Sequence, residues 1–162
     1  MDVIILDMGP DVKGESNQSG FENKIELLSF SHGVAMQITG DISTSERTSG
    51  KSNHQDMTVT KYLDSASPVL YQRCCEGKIF PQAEIIIGRN DSGAVVELMR
   101  YTLKGVLISS MSIGGGGGDK PVETVTLNYN QIQWNYTPQR PEQSGADEQI
   151  EGRWNLNTNR PE

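Results

Sequence analysis

Between Ala94 and Gln139 apolar and polar residues alternate with the period of two that a half-buried β-strand imposes. Three segments read as strands: AVVELMRYTL from Ala94, VLISSMSI from Val106 and TVTLNYNQIQWNY from Thr124, the last two separated by the glycine run Gly114 to Gly118. Upstream, the apolar run Val3 to Met8 reads as a strand closed by Gly9-Pro10, and a polar loop follows. Lys24 to Gln37 reads as one long strand. Its even face carries Leu28, Phe30, Val34 and Met36. Its odd face begins with Ile25 and Leu27 and turns to Ser29 and Ser31, as a face open to solvent or to a wide channel would. Ile38 to His54 reads as a long irregular loop, Met57 to Tyr62 and Ala83 to Arg89 as strands, and Asn90 to Gly93 as a hairpin turn. A last short strand is expected around Arg153 to Asn157, after a proline-flanked polar stretch.

One helix is expected, over Asp64 to Gly77, with Ser67 as cap, Pro68 in the first turn and Gly77 as the stop. Its apolar stripe of Val69, Leu70 and Cys74 beside Arg73 is narrow, which suits a helix covering a sheet. The fold class is therefore mostly β with one short helix, and residues 1–162 are expected to form a single domain.

Two of these strands break their own alternation. In the last, Val125, Leu127 and Tyr129 give way to Ile132, Trp134 and Tyr136; near Ala94, Val96 and Leu98 give way to Met99, Tyr101 and Leu103. A period of two changes phase only at a bulge or where the covered face changes. Ordinary bulges are one reading. The other is that the strands bury one face in their own barrel and present part of the other to neighbouring copies.

Composition narrows the function. Lys and Arg number 14 against 21 Asp and Glu, a net charge of −7, which disfavours a nucleic-acid backbone or an anionic membrane as partner. No apolar run is long enough to span a bilayer. The start, MDVIILDMGPDV, lacks the basic and apolar regions of a signal peptide, so the general secretory route is not expected. Cys74 and Cys75 are adjacent on the expected helix, where their side chains diverge and no mutual disulfide forms.

Catalytic chemistry finds little footing. His32 and His54 lack further ligands at metal spacing, no GxSxG nucleophile elbow exists, and no carboxylate pair stands out. GGGGGDKP fails as a phosphate loop because Asp119 stands where the second glycine is needed and no Ser or Thr follows Lys120. The expectation is a protein that is not an enzyme and uses neither metal nor cofactor.

Several segments in order carry a resemblance: VKGES (Val12–Ser16), TKYLDSASP (Thr60–Pro68), GKIFPQAEI (Gly77–Ile85) and LKGVLISSMSIGGGGGDKPVETVTLNYNQIQWNYTPQ (Leu103–Gln139). On these the chain resembles the haemolysin-coregulated protein (Hcp) family, the tube protein of bacterial type VI secretion systems. The resemblance implies an antiparallel β-barrel of two packed sheets with one short flanking α-helix, a homohexameric ring of such barrels, rings stacked into a hollow tube, a surrounding contractile sheath and a spike at its tip. It also implies small effector proteins carried and chaperoned in the lumen. The protein would be cytoplasmic when assembled and then leave the cell without a signal peptide, and no toxin domain is expected behind Glu162. The loop from Ile38 to His54 would reach toward an adjacent ring.

Within this reading Ser29 and Ser31 are expected to line the channel. Ile132, Trp134 and Tyr136 are the candidates for the subunit contact, and Asp91, Ser92 and Arg153 for contacts between rings. Two alternatives remain: a phage-type tail-tube protein, which shares the ring, and a monomeric carbohydrate-binding β-sandwich using Trp134 and Tyr136 as a platform.

Overall fold

The computed structural model describes residues 2–39, 48–138 and 149–162. In chain order the elements are β1 (Asp2–Asp7), β2 (Ile25–Glu26), β3 (Ser29–Ser31), β4 (Val34–Thr39), β5 (Thr48–His54), β6 (Met57–Tyr62), α1 (Ser67–Glu76), β7 (Phe80–Asp91), β8 (Ala94–Gly114), β9 (Val122–Asn128), β10 (Gln131–Tyr136) and β11 (Ile150–Asn155). The expected mostly β class with one short helix holds.

β8 organises everything else. The two strands expected at Ala94 and Val106 are one strand of 21 residues. Its first half pairs with β7 on one edge and β10 on the other; its second half pairs with β9. The strand passes Lys104-Gly105 because Gly105 takes a φ of +62°, which costs glycine nothing. The expected third strand is likewise two, β9 and β10, broken at Tyr129-Asn130 opposite that glycine, where the Asn130 amide donates to the Lys104 carbonyl at 2.9 Å.

This paired break is the physical cause of the phase change. Before it the buried residues are Leu103 and its partner Ile132; beyond it they are Val106, Ile108, Leu127 and Tyr129. Both strands turn a corner together and exchange the face they bury, as strands do when they pass from one packed sheet to another. The second phase change is a bulge at Leu98, since Ile87 faces Met99 while the next residue, Gly88, faces Glu97. One change is thus a bulge and the other a change of covered face within the chain itself, and neither requires a neighbouring copy.

The strand order runs β2-β1-β7-β8-β9-β6-β3, with β10 and β11 branching from β8. The expected barrel is corrected here: no strand pair closes the sheet among the described residues. Its two ends, β2 and β3, are instead joined by Leu27 and Leu28, whose amides donate to Ile4 and Thr60 carbonyls at 2.9 and 2.7 Å. The core fills the space between the two halves, with Leu6, Ile25, Met57, Val59, Leu70, Ile85, Leu103, Val106, Val125 and Leu127 at its centre. On the other side of β1 and β7, Ile5 and Ile86 are also buried. Arg100, the register partner of Ile86, binds Glu84 and Glu97 there.

The long strand expected over Lys24 to Gln37 is three short ones, and only at β3 do its faces hold as expected, with Phe30 against the core and Ser29 and Ser31 exposed. Ile25 and Leu27 are buried, while Leu28, Val34 and Met36 are exposed. Part of the expected irregular stretch is regular: β5 pairs with β4 as a separate two-stranded hairpin. Residues 40–47 of that stretch lie outside the described residues, as do residues 139–148 of the polar stretch after Pro138.

The turn between β7 and β8 is the two-residue kind, Ser92 at φ +50° and Gly93 at +86°, both signs that a tight hairpin demands. The last strand starts at Ile150, earlier than expected, because Ile150 to Asn155 pair with β10. The helix begins at Ser67 with Ala66 at the cap position and no side-chain cap. Asp64 Oδ1 accepts from the Ala66 amide at 3.0 Å, and Ser67 turns inward. Gly77 ends the helix at φ +62°, as expected.

Candidate functional site

Two surfaces stand out. The first is one side of the β8–β9–β6–β3 sheet, built by the alternation of short polar strands. Ser29 faces Thr60, Thr60 faces Thr124 and Thr124 faces Ser112; beside that row run Ser31, Thr58, Thr126 and Ser110. The opposite side of the same strands carries Phe30, Val59, Val125 and Met111 toward the core. Four strands thus present a surface paved with hydroxyls. Several satisfy each other, Ser29 with Thr60 at 2.6 Å and Ser110 with Thr126 at 2.6 Å. Asp56 reaches one end of it, held by Ser109 at 2.7 Å and Asn128 at 3.0 Å, and Tyr62 with Val122 closes the other. Sequence reading found only its Ser29 and Ser31 edge; the other rows become visible once strand register is known.

The second surface is apolar. On β10 and β11 the register partners Ile132 with Trp154, Trp134 with Gly152 and Tyr136 with Ile150 share one face. The other face carries Gln131, Gln133, Asn135, Glu151, Arg153 and Asn155. Of the expected contact residues, Ile132 is 1% exposed and belongs to the chain's own core, so it is not available to a neighbour. Trp134 is half-buried, and the row runs outward to Tyr136, 45% exposed, and Ile150, 61% exposed. The hairpin continues this surface: Val34, Met36 and Ile38 are 49%, 47% and 62% exposed. Between hairpin and sheet lies an open groove of about 220 Å³ lined by Val34, Met36, Ser52, His54, Trp134 and Trp154. At the far end of β8 four more apolar residues are exposed: the register partners Tyr62 and Val122 on the hydroxyl face of the sheet, Leu63 just beyond β6, and Ile113 on the opposite face.

Asp91 and Ser92 are exposed at the tip of the β7–β8 turn, and Arg153 is exposed on the polar face of β11, ion-paired with Glu151. The structure does not bring them together. Asp91 is level with Ala94 of β8 and Arg153 with Thr102, so roughly 27 Å of strand separates them at ~3.4 Å per residue.

Sequence reading missed a buried ionic cluster. Lys61 and Glu123 are opposite each other in the β6–β9 ladder, both fully buried, with Lys61 Nζ 2.6 Å from Glu123 Oε1. Nζ also reaches Asp64 at 2.9 Å and Ser67 Oγ at 3.0 Å, and Ser67 hydrogen-bonds Glu123. Burial raises the Glu123 carboxyl, but its bonds from Lys61 and Ser67 prevail and hold it below the ordinary range. Burial and then Glu123 push the nearby Tyr71 phenol up. The cluster pins the start of α1 to the sheet. Its signal was present in the pattern: Met57, Val59 and Lys61 form one column, Glu123, Val125 and Leu127 another, and each ends in a charge where alternation calls for an apolar residue.

No group of His, Cys, Asp and Glu that could hold a metal occurs among the described residues. Cys74 is half-buried and Cys75 exposed on α1, and both are free thiols. No described helix is long and apolar enough to cross a membrane.

These features meet a known architecture. Residues 6–136 match the family model described as type VI secretion system effector, Hcp. The chain is 37% identical over 150 residues to protein hcp1 of Pseudomonas aeruginosa, covering 92% of each chain. It superposes on a structure described as a type six secretion system protein with a TM-score of 0.89 at 28% identity, over the full length of both. It superposes on Hcp1 from Salmonella typhimurium with a TM-score of 0.79 at 24% identity, over 99% of both. The chain belongs to the Hcp family of type VI secretion tube proteins, structural and secreted components of that system.

Proposed function

We propose that this chain forms homohexameric rings that stack into a hollow tube, and that small effector proteins travel in the lumen. The observation that carries this reading is the uncovered apolar surface on β10, β11 and the β4–β5 hairpin. A contiguous apolar face of this kind on a secreted protein with a net charge of −7 needs a partner. A cyclic ring joins two different patches of each subunit. Exposed Tyr62 and Val122, paired at the rim of the hydroxyl face near the other end of β8, supply the second patch.

The hydroxyl-paved face is the channel wall in this proposal. It offers cargo many weak polar contacts, with the Asp56 carboxylate at its end already held by Ser109 and Asn128, which suits a passenger that must be held and later released. The contractile sheath and the spike are the remaining partners. The tube is assembled in the cytoplasm and then leaves the cell. The exposed turn at Asp91-Ser92 and the β11 edge at Arg153 serve contacts between rings.

Trp134→Ala tests the reading, with Tyr136→Ala as the companion that spares the core. Each removes an aromatic anchor and weakens the subunit contact by ~2 kcal/mol, about thirtyfold. Sedimentation is expected to move from ring to monomer for both. A folded Tyr136→Ala that sediments as a ring at every concentration overturns the placement. Ser31→Trp is expected to keep the ring and lose cargo; loss of the ring instead would move Ser31 out of the channel.

A further inference from the structure

The β4–β5 hairpin pairs with no other strand among the described residues, so its position is set at its root. Three hydrogen bonds define that root. The Gln55 amide donates to the Gly33 carbonyl at 2.9 Å, and the Tyr129 hydroxyl donates to the Gln55 carbonyl at 3.1 Å. The third joins Tyr129 Oη and His32 Nδ1 at 3.4 Å. The phenol has one proton and Gln55 takes it, so His32 donates from Nδ1 and leaves Nε2 bare. On the other strand, Val34's register partner His54 binds Ser52 Oγ through Nε2 at 3.1 Å. Both rings lie edge-on to the same phenol, with centroids 5.8 and 6.2 Å from that of Tyr129. His32 Nε2 and His54 Nδ1 are both buried and have no hydrogen-bond partner among the described residues.

We propose that His32 and His54 form a pH-sensitive hinge, holding the hairpin over Trp134 and Trp154 while neutral and releasing it when protonated. Adding a proton to either ring places an N–H donor where no acceptor waits, and adding both places like charges on two sides of one phenol. The surroundings offer one partial relief, the Gln55 backbone beside His32, and burial outweighs it. Tyr101 from β8 and Tyr129 are neutral phenols, and Trp134 lies 6.3 Å from His32. The nearest carboxylate in sequence, Asp56, is turned to Ser109 and Asn128 at 2.7 and 3.0 Å. Burial accordingly lowers both imidazoles below the ordinary 6.5. The sign follows. The docked hairpin is fully held above about pH 6.5, where a released histidine is also neutral, and is progressively lost as pH falls toward the lowered folded values.

The hinge is intramolecular and does not depend on ring formation, so it is read at a concentration where sedimentation gives one assembly state at both pH values. Hydrogen exchange over Val34–Thr39 and Thr48–His54, corrected for intrinsic rates, is compared between about pH 7.5 and about pH 5. Emission from the chain's two tryptophans, both lining the groove, is followed alongside. The expected result is a severalfold loss of protection confined to those strands, with a red shift. The double variant His32→Asn/His54→Gln keeps both hydrogen-bonding positions without a titrating ring, and its profile is expected to be flat. No change in the wild type, or the same change in the double variant, overturns the hinge. If the double variant does not fold, an NMR titration of the wild-type imidazoles decides. Values below 6.5 tracked by the hairpin amides support the hinge, and values at or above 6.5 overturn it.

Discussion

Lys61 and Glu123 occupy core positions that alternation reserves for apolar side chains, and they are tolerable only together. Removing Lys61 as Lys61→Met strands a buried carboxylate, and the expected loss of stability is ~3–5 kcal/mol in a denaturant titration. The double variant Lys61→Met/Glu123→Leu removes both charges and is expected to recover most of that loss; a double variant as unstable as the single one would contradict the pairing. The pH dependence has a definite sign. Glu123 is held below the ordinary 4.5, so its contribution is complete above about pH 4.5 and lost as pH falls through the folded value. Asp64, on the same lysine, ties this loss to the start of α1, so acid is expected to release the helix before it opens the sheet, which helix-specific hydrogen exchange reads directly.

At the level of elements, the corner in β8 rests on Gly105. A Cβ there would stand 2.6 Å from Asn130 Nδ2 as well as at a φ of +62°, so Gly105→Ala is expected to cost ~1–3 kcal/mol. A neutral substitution would mean that the corner is held elsewhere. This corner also marks what could be read without coordinates. The strands of the central stretch, the helix with its Gly77 stop and the Ser92-Gly93 turn were legible because each is fixed by local pattern. The break at Tyr129-Asn130 was legible only as a phase change, because its cause is a glycine on another strand. Leu28, Val34 and Met36 misled for a related reason: they are apolar and evenly spaced, yet the chain turns them outward after Leu27. The Ser29 and Ser31 edge showed in the sequence, whereas the hydroxyl rows behind it depend on register between strands far apart in the chain.

For the whole molecule, the apolar face on β10 and β11, the hairpin above it and the cluster at Tyr62 and Val122 belong to one account, that of a heterologous contact repeated around a ring. Tyr62→Ser, on the opposite end of β8 from Trp134, is expected to weaken assembly as Tyr136→Ala does. Mixing the two variants is expected to restore one good contact per pair and no closed ring, because each subunit offers a single intact patch. The most direct test is the mass of the purified chain by sedimentation, with negative-stain images of the same sample. Six copies of a 17.8 kDa chain give 6 × 17.8, about 107 kDa, and the account predicts that mass together with rings that have a central hole. A single species of 17.8 kDa at micromolar and higher concentrations, with no rings in the images, would contradict it.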